Sequence, residues 1–301
     1  MRRVIEGLLV LGVAGGALAL ALGYGKRWHP ALDSFAHFRL HFAAAMALAA
    51  LALAALRRRR RPLVLAALGV AAIIPHVAPG PQADGAVPGL RVVQHNMLFS
   101  NQRLDLAVGW LRAQAADVVA LQEVRDRHWA ALAALDDLYP HRHRCAFAHV
   151  GGVALLSRHP FVRLDCPHGP GVILGRIAPQ GEPIDLVSYH AHWPWPFAQH
   201  RQIGWLVPTL AELDAGRRIV AGDFNAAPWS HAVERMAEAS RTRVVPGLRM
   251  TIRVRGVPIP IDHVLLSPSL CATAARTGPR LGSDHHAVLV EVAWEGCPES
   301  R

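Results

Sequence analysis

The sequence predicts a mixed α and β domain with a sheet core, preceded by a separate apolar region. Three observations carry that class. From residue 90 onward, short apolar runs of strand length outnumber helical patterns, and both kinds occur throughout. Many of the strand-like runs end in, or begin just after, a carboxylate, an amide or an imidazole. The hydrophobic excess, 52% over 301 residues, sits at the front of the chain.

The front comes first. Residues 4–25 contain one charged residue, Glu6. A second apolar run covers 42–56, with Phe38 and Leu40 before it, and a third begins at Pro62 and extends toward 78. A membrane-crossing helix needs about 20 apolar residues. Residues 1–78 are therefore expected to hold three candidate spans, about 4–25, 38–56 and 62–78. A cleaved signal peptide followed by a helical pair is the alternative, which three successive runs disfavour. Arg2 and Arg3 precede the first run, and Arg57 to Arg61 separate the second from the third. Positive residues stay on the cytoplasmic side. The expected location is the inner (cytoplasmic) membrane, multi-pass, with everything after about residue 79 facing the periplasm or exterior. Lys26, Arg27 and Arg39 in the outer loop run against this, outweighed by five consecutive arginines.

The net charge of +10 divides unevenly. Residues 1–90 hold 10 basic against 3 acidic groups, and residues 91–301 hold 22 against 19. The basic balance thus belongs mostly to the apolar region and is weak evidence for a nucleic-acid partner. Lys26 is the only lysine. Cys145, Cys166, Cys271 and Cys297 form no Cys-x-x-Cys pair, which argues against a zinc ribbon. An oxidising compartment would permit a Cys145–Cys166 disulfide; buried free thiols are the other reading.

Pro and Gly punctuate residues 79–89, a tether with almost nothing to bury. A strand over 90–96 ends in Asn96, and Leu104, Val108 and Leu111 repeat at helical spacing across 104–116. A second strand, 117–123, delivers Glu123, and a helix is expected over about 126–135. Gly151 and Gly152 turn the chain into a strand at 153–157, followed by Arg158. Two more strands are expected at 173–178 and 184–189, the latter running into His190, and a helix at 197–213. The central strand, Ile219 to Ala221, is followed by Gly222, which frees the backbone, and by Asp223 and Asn225. In extended geometry those two side chains share a face, although Gly-Asp-x-Asn is also a common Asx-type turn. Pro228 closes the loop before another helix. Strands at 261–266 and 287–292 complete the domain, with Asp262 in the first and Asp284 and His285 just before the second.

Carboxylate and amide oxygens at these strand ends suit a hard cation, Mg2+ or Mn2+, and the adjacent histidines suit activation of water. The ordered set Val92-Val93-Gln94-His95-Asn96, Leu121-Gln122-Glu123, Ser188-Tyr189-His190, Gly222-Asp223-Phe224-Asn225, Ile261-Asp262-His263 and Gly282-Ser283-Asp284-His285 resembles the endonuclease/exonuclease/phosphatase superfamily, the deoxyribonuclease-I-like fold, over about residues 90–294. The resemblance implies an α+β fold, a four-layer α/β/β/α sandwich of two mixed β-sheets flanked by helices, with the site at one end. It implies a metal held by Asn96 and Glu123, with Asp284 a further ligand. It gives Asp223 and Asn225 the positioning of water and phosphate, His285 the water's proton, Asp262 the orientation of His285, and His190 donation to a phosphate oxygen. His192, two residues on, competes with His190 for that role. Arg158 is expected to contact phosphate. Where apurinic-site endonucleases carry a second acid after the asparagine, this chain has Leu98, which favours one metal over two.

The implied activity is metal-dependent hydrolysis of a phosphodiester or phosphomonoester in nucleic acid, phospholipid or inositol phosphate. A non-catalytic envelope binding module on the same fold is the rival, and the intact acid, amide and histidine set speaks against it. Trp193, Trp195 and Phe197, stiffened by Pro194 and Pro196, follow His190. They could stack on bases, enter a membrane interface or pack against the next helix. No protein partner is evident, and residues 295–301 are expected to be a tail.

Overall fold

The computed structural model describes residues 1–77, 79, 83, 86–167 and 171–297. They form two compact units, one comprising residues 1–79 with the loop pieces 194–196 and 229–231, the other the rest. Within the tether 79–89, the described residues are neither helix nor strand; its remaining residues and the tail beyond 297 lie outside the described set.

The first unit is helical: α1 (Arg2–Tyr24), α2 (Pro30–Ala36), α3 (Arg39–Arg57) and α4 (Pro62–Val77). Leu and Ala runs favour helix, and Pro30 starts α2 at a position where its missing N–H costs nothing. Val13, Leu20, Ala43, Met46, Ala50 and Ala66 form the small shared core. Leu8, Leu11, Leu48, Val64 and Leu68 are exposed on the other faces, so these helices are apolar nearly all round. Arg2–Tyr24 and Arg39–Arg57 are long and apolar enough to cross a membrane, whereas Pro62–Val77 is shorter. The sequence pattern did not anticipate α2.

The second unit runs β1 (Leu90–Asn96), α5 (Leu104–Gln114), β2 (Val118–Val124), α6 (Asp126–Leu132), β3 (His141–Ala148), β4 (Gly151–Ser157), β5 (Phe161–Asp165), β6 (Val172–Ile177), β7 (Ile184–His190), α7 (Gln199–Ala211), β8 (Arg217–Asp223), α8 (His231–Ala239), β9 (Arg243–Val244), β10 (Ile252–Val254), β11 (Val257–Ile259), β12 (Asp262–Leu266), β13 (Cys271–Thr277) and β14 (Val288–Ala293). Two six-stranded sheets result, in the orders β13-β14-β1-β2-β4-β3 and β5-β6-β7-β8-β12-β9, with β10-β11 a separate hairpin. β1 and β2 pair in parallel, as do β7 and β8, and the other pairs are antiparallel.

Period-two alternation explains the layers. Val92, Val118, Ala120 and Val290 of one sheet share a core with Ile184, Leu186, Ile219, Ala221 and Val264 of the other. The intervening residues point outward: Val93, Val119 and Leu121 pack with Leu111 and Leu132 of α5 and α6. Val187, Val220 and Leu265 pack with Ile203, Leu206, Val233 and Met236 of α7 and α8. The fold is the α/β/β/α sandwich. The strands that sequence pattern missed include all four sheet edges, β3, β13, β5 and β9. An edge strand can stay half-solvated, so β3 (His-Arg-His-Arg at its start) and β13 carry no apolar run to read.

The cysteines are paired as Cys145–Cys166 and Cys271–Cys297. The free-thiol reading is therefore replaced by two disulfides, the second of them unanticipated.

Candidate active site

The alternation that builds the inter-sheet core also delivers the polar groups. Counting inward positions along β1 gives Leu90, Val92, Gln94, Asn96; along β7, Ile184, Leu186, Ser188, His190; along β8, Ile219, Ala221, Asp223. β12 runs the other way, so its first residue, Asp262, lies directly opposite Asp223, and His190 is Asp223's register partner on the other side. Each strand's last inward residue on this edge is an acid, amide or imidazole.

Glu123 reaches the same edge by a different route. Strict alternation would turn it toward the helices, away from the site. The register of β2 shifts between Leu121 and Val124, and Glu123 takes a positive φ of 59°. A β-bulge of this kind re-aims one side chain at a local backbone cost of about 1–3 kcal/mol. Glu123 Oε2 accepts the Phe99 N–H at 2.7 Å, and Asn96 Nδ2 donates to Glu123 Oε1 at 3.1 Å and to Asp223 Oδ2 at 3.0 Å.

Gly222 does not free the backbone in the way its residue type suggested. It has no positive φ; a Cβ there would stand 1.9 Å from the Tyr189 carbonyl oxygen, so glycine lets β7 and β8 close up beneath His190 and Asp223. Asn225 is also placed differently. β8 stops at Asp223, Asn225 has φ 45°, and its N–H donates to Asp223 Oδ1 at 2.8 Å, an Asx-type turn rather than a continued strand. The Asn225 side-chain amide donates to the Ala191 carbonyl at 2.8 Å, so it holds the turn.

His285 comes from the loop before β14. Ser283 Oγ donates to the Asn96 carbonyl at 2.8 Å and accepts the His285 N–H at 3.0 Å, tying this loop to the end of β1. His285 Nδ1 lies 2.8 Å from Asp262 Oδ2, while its Nε2 lies 3.8 Å from Asp223 Oδ2. Asp223, Asp262 and His285 are all buried and close enough for one ion to touch all of them. His190 Nε2 is 3.7 Å from Asp223 Oδ2 and 3.9 Å from Glu123 Oε1. The His192 ring packs on Phe147, centroids 5.0 Å apart, and its backbone N–H donates to Gln202 Oε1 at 2.7 Å. Asp284, its side chain 53% exposed, stands at the rim with Oδ1 3.9 Å from His285 Nε2.

Burial drives the protonation pattern. It pushes Glu123 up, against hydrogen bonds from Phe99 and Asn96. Burial, with the neighbouring Asp262 charge, pushes Asp223 up to about 7. Burial opposes the charge on Asp262 as well, yet His285, with hydrogen bonds from His285, Thr251 and Gln94, keeps that carboxyl below its usual range. For His285, burial favours the neutral ring, and Asp262 and Asp223 overcome it, raising it to about 10. His190 is driven down to about 3 by burial and by the His285 charge, so it is neutral. Its buried Nδ1 has no hydrogen-bond partner among the described residues.

One expected site residue, Arg158, lies elsewhere. Arg158 follows β4, whose Ser157 pairs with Val118 at the start of β2, so it sits at the opposite end of the sheet from Glu123. There its guanidinium lies 3.9 Å from Asp117. The expected phosphate contact is corrected by strand direction: β4 runs antiparallel to β2 and carries its C-terminal residue away from the site. Trp193 and Trp195 are each 47% exposed on the loop after β7 and make no hydrogen bond to the acid–histidine cluster among the described residues.

Pattern reading missed the layer beneath the cluster. Gln94 Nε2 donates to Asp262 Oδ1 and to Gln122 Oε1, each at 2.8 Å, and Gln122 Nε2 donates to Ser188 at 3.3 Å. All three are fully buried. The available signal was a polar residue at an inward position of an apolar strand, two residues before a site group.

Two packed mixed sheets with this cluster at one end define an α+β hydrolase class acting on phosphoester bonds. The chain belongs to the Endonuclease/Exonuclease/phosphatase family, whose model matches residues 93–285. No curated protein matches significantly. Among solved structures, the chain is similar to the endonuclease/exonuclease/phosphatase from Bacteroides vulgatus (17% identity, TM-score 0.58, covering 68% of this chain and 99% of that one). It is also similar to one from Beutenbergia cavernae DSM 12333 (22%, 0.54, 71% and 74%). A third is a beta toxin mutant from Staphylococcus aureus with bound magnesium ions (15%, 0.53, 67% and 99%). These likenesses show the fold.

Proposed function

We propose that this chain is a membrane-anchored, divalent-metal-dependent phosphodiesterase in which His285 activates a water for attack on phosphorus. The observation that carries the reading is the buried line Asp262–His285–Asp223, 2.8 Å and 3.8 Å long in its two links, beside Glu123, Asn96 and His190.

The donor set fits a hard cation. Glu123, partly buried, and Asp223, fully buried, are carboxylates that burial pushes toward protonation, and oxygen donors with surplus negative charge suit Mg2+ or Mn2+. Glu123 would be the principal ligand, with Asn96 beside it and Asp284 at the rim, and an ion held there would supply positive charge against the phosphate's negative oxygens. Asp262 holds His285 through Nδ1 and leaves Nε2 facing the reaction space, where it takes a proton from water. Asp223, fixed by Asn96 and the Asn225 turn, aligns that water and the phosphate. His190, neutral, donates from Nε2 to the phosphate oxygen that gains charge.

The test is hydrolysis of bis-p-nitrophenyl phosphate by the full chain in detergent, with Mg2+, Mn2+ or chelator. Turnover should require metal, and His285→Ala and Glu123→Gln should each lower kcat by about 10²–10⁴-fold, the usual worth of a positioned proton acceptor or metal ligand. Variants that turn over as fast as the parent would end the reading. The membrane part is supported by α1 and α3, which are long and apolar enough to cross a membrane, and the proposed orientation, amino terminus inside and catalytic unit outside, is the one that arginine placement favours.

A further inference from the structure

Next to the cluster lies a cavity of about 670 Å³ whose walls include Phe99, Arg125, Arg127, Arg144, Phe147 and His149. It joins the reaction space through two of these walls. Phe99 donates its N–H to Glu123, and the Phe147 ring packs edge-on against His190 with centroids 5.2 Å apart. The chain leaving β2 supplies Arg125 and Arg127, and β3 supplies Arg144 and Phe147.

The guanidinium groups are held mainly by neutral partners. Arg125 donates to the His149 carbonyl, Arg127 to the Phe99 carbonyl at 2.7 Å, and Arg144 to the Val124 carbonyl at 3.4 Å. Only Arg144 has a carboxylate partner among the described residues, Asp126 at 2.7 Å, whose side chain is 95% exposed. Carbonyl partners fix an arginine without neutralising it, so the cleft keeps a net positive charge. Its field is felt at His128 behind the wall, which burial, together with Arg127, Arg125 and Arg144, drives down to about 4. Arg125 also lies over the Phe99 ring, 4.9 Å from its centroid, and Phe147 offers a second aromatic surface.

We propose that this cleft is a strand-binding subsite that takes the phosphate and base of the nucleotide adjoining the scissile bond, making single-stranded nucleic acid the substrate class. The proposal rests on the phosphodiesterase reading above. A nucleic-acid strand brings what the cleft asks for: a second phosphate in fixed spacing from the first, and a flat ring to stack on phenylalanine. A phospholipid headgroup and an inositol phosphate both offer anionic oxygens without an aromatic face. A cavity of this volume accommodates a nucleotide or two.

The experiment uses the full chain in detergent and compares kcat/KM for a short single-stranded oligonucleotide with that for bis-p-nitrophenyl phosphate. The parent should prefer the oligonucleotide by at least about tenfold, and Arg125→Gln with Arg144→Gln should collapse that ratio. A second measurement starts from the parent alone. Binding of a fluorescent oligonucleotide in chelator should weaken with salt with a log–log slope of about −0.7, as one phosphate neutralised on a single strand gives, and Arg125→Gln with Arg144→Gln should flatten it. Anionic phosphatidylglycerol vesicles or inositol hexakisphosphate hydrolysed in preference to the oligonucleotide would overturn the subsite, as would a ratio unaffected by the arginines. Loss of all hydrolysis of bis-p-nitrophenyl phosphate by the parent would instead overturn the underlying reading, so the two failures are separable.

Discussion

Asp262 and Asp223 face the same imidazole from opposite sides and affect it in measurable ways. Burial alone would leave His285 neutral; the two carboxylates raise its proton affinity to about 10. A base must be unprotonated, so activity climbs as pH rises through the His285 ionisation. Asp262→Asn removes the strongest of the raising charges, and the acid limb of the pH–rate profile should move to lower pH while the plateau drops. A limb that stays in place would show that another group limits the rate. Asp223 gives a sign in the stability of the metal-free chain. Its folded pKa is raised from 3.8 to about 7, so the folded state binds this proton more tightly than the unfolded chain. The contribution is complete below about 4 and is lost as pH rises through 7. In chelator, Asp223→Asn should therefore gain thermal midpoint relative to the parent between pH 4 and 7, and an unchanged difference across that window would contradict the assignment. Asp223 itself was legible as a polar residue ending an apolar run. Its protonation was not, because it depends on Asp262, thirty-nine positions away in sequence and directly opposite in the sheet.

Among the elements, the loop before β14 carries a tight tolerance of its own. Gly282 sits at φ 84°, and a Cβ there would stand 2.4 Å from Asn101 Oδ1 and 2.7 Å from Arg103 Cβ. Gly282→Ala combines left-handed strain with a clash, about 1–3 kcal/mol together. The relief available is a shift of the Ser283–His285 loop that hangs on Asn96. Activity on bis-p-nitrophenyl phosphate should fall by more than the loss of stability accounts for, checked by assaying well below the variant's midpoint; full activity there would show that the loop is not what places His285. The strands that build the core were readable from period-two apolar runs such as those of β1 and β7. The bulge that turns Glu123 inward was not, because Leu-Gln-Glu-Val looks the same whether the register shifts or continues. Arg158 failed for a related reason: sequence nearness to β4 says nothing about which end of the sheet that strand finishes on.

For the whole molecule, the sequence reading set an apolar front before a sheet domain, and the chain forms one helical unit and one unit built on two sheets. The edge strands stayed hidden because half-solvated positions leave no hydrophobic record. If α1, α3 and α4 cross a membrane with Arg57 to Arg61 inside, a periplasm-active reporter fused after residue 90 should be active and a cytoplasm-active one silent. The opposite pattern would reverse the orientation. The gathering of Asn96, His190, Asp223 and Asp262 at the terminal positions of their strands along one edge has a consequence for how such a chain tolerates change. Deleting or inserting one residue within β1, β7, β8 or β12 would turn that strand's reactive group toward the helices in the same stroke that misaligns its core residues. Mutational drift that shortens or lengthens these strands is thus filtered twice over, once by folding and once by chemistry, and length variation among descendants of this chain should be confined to the connections between them.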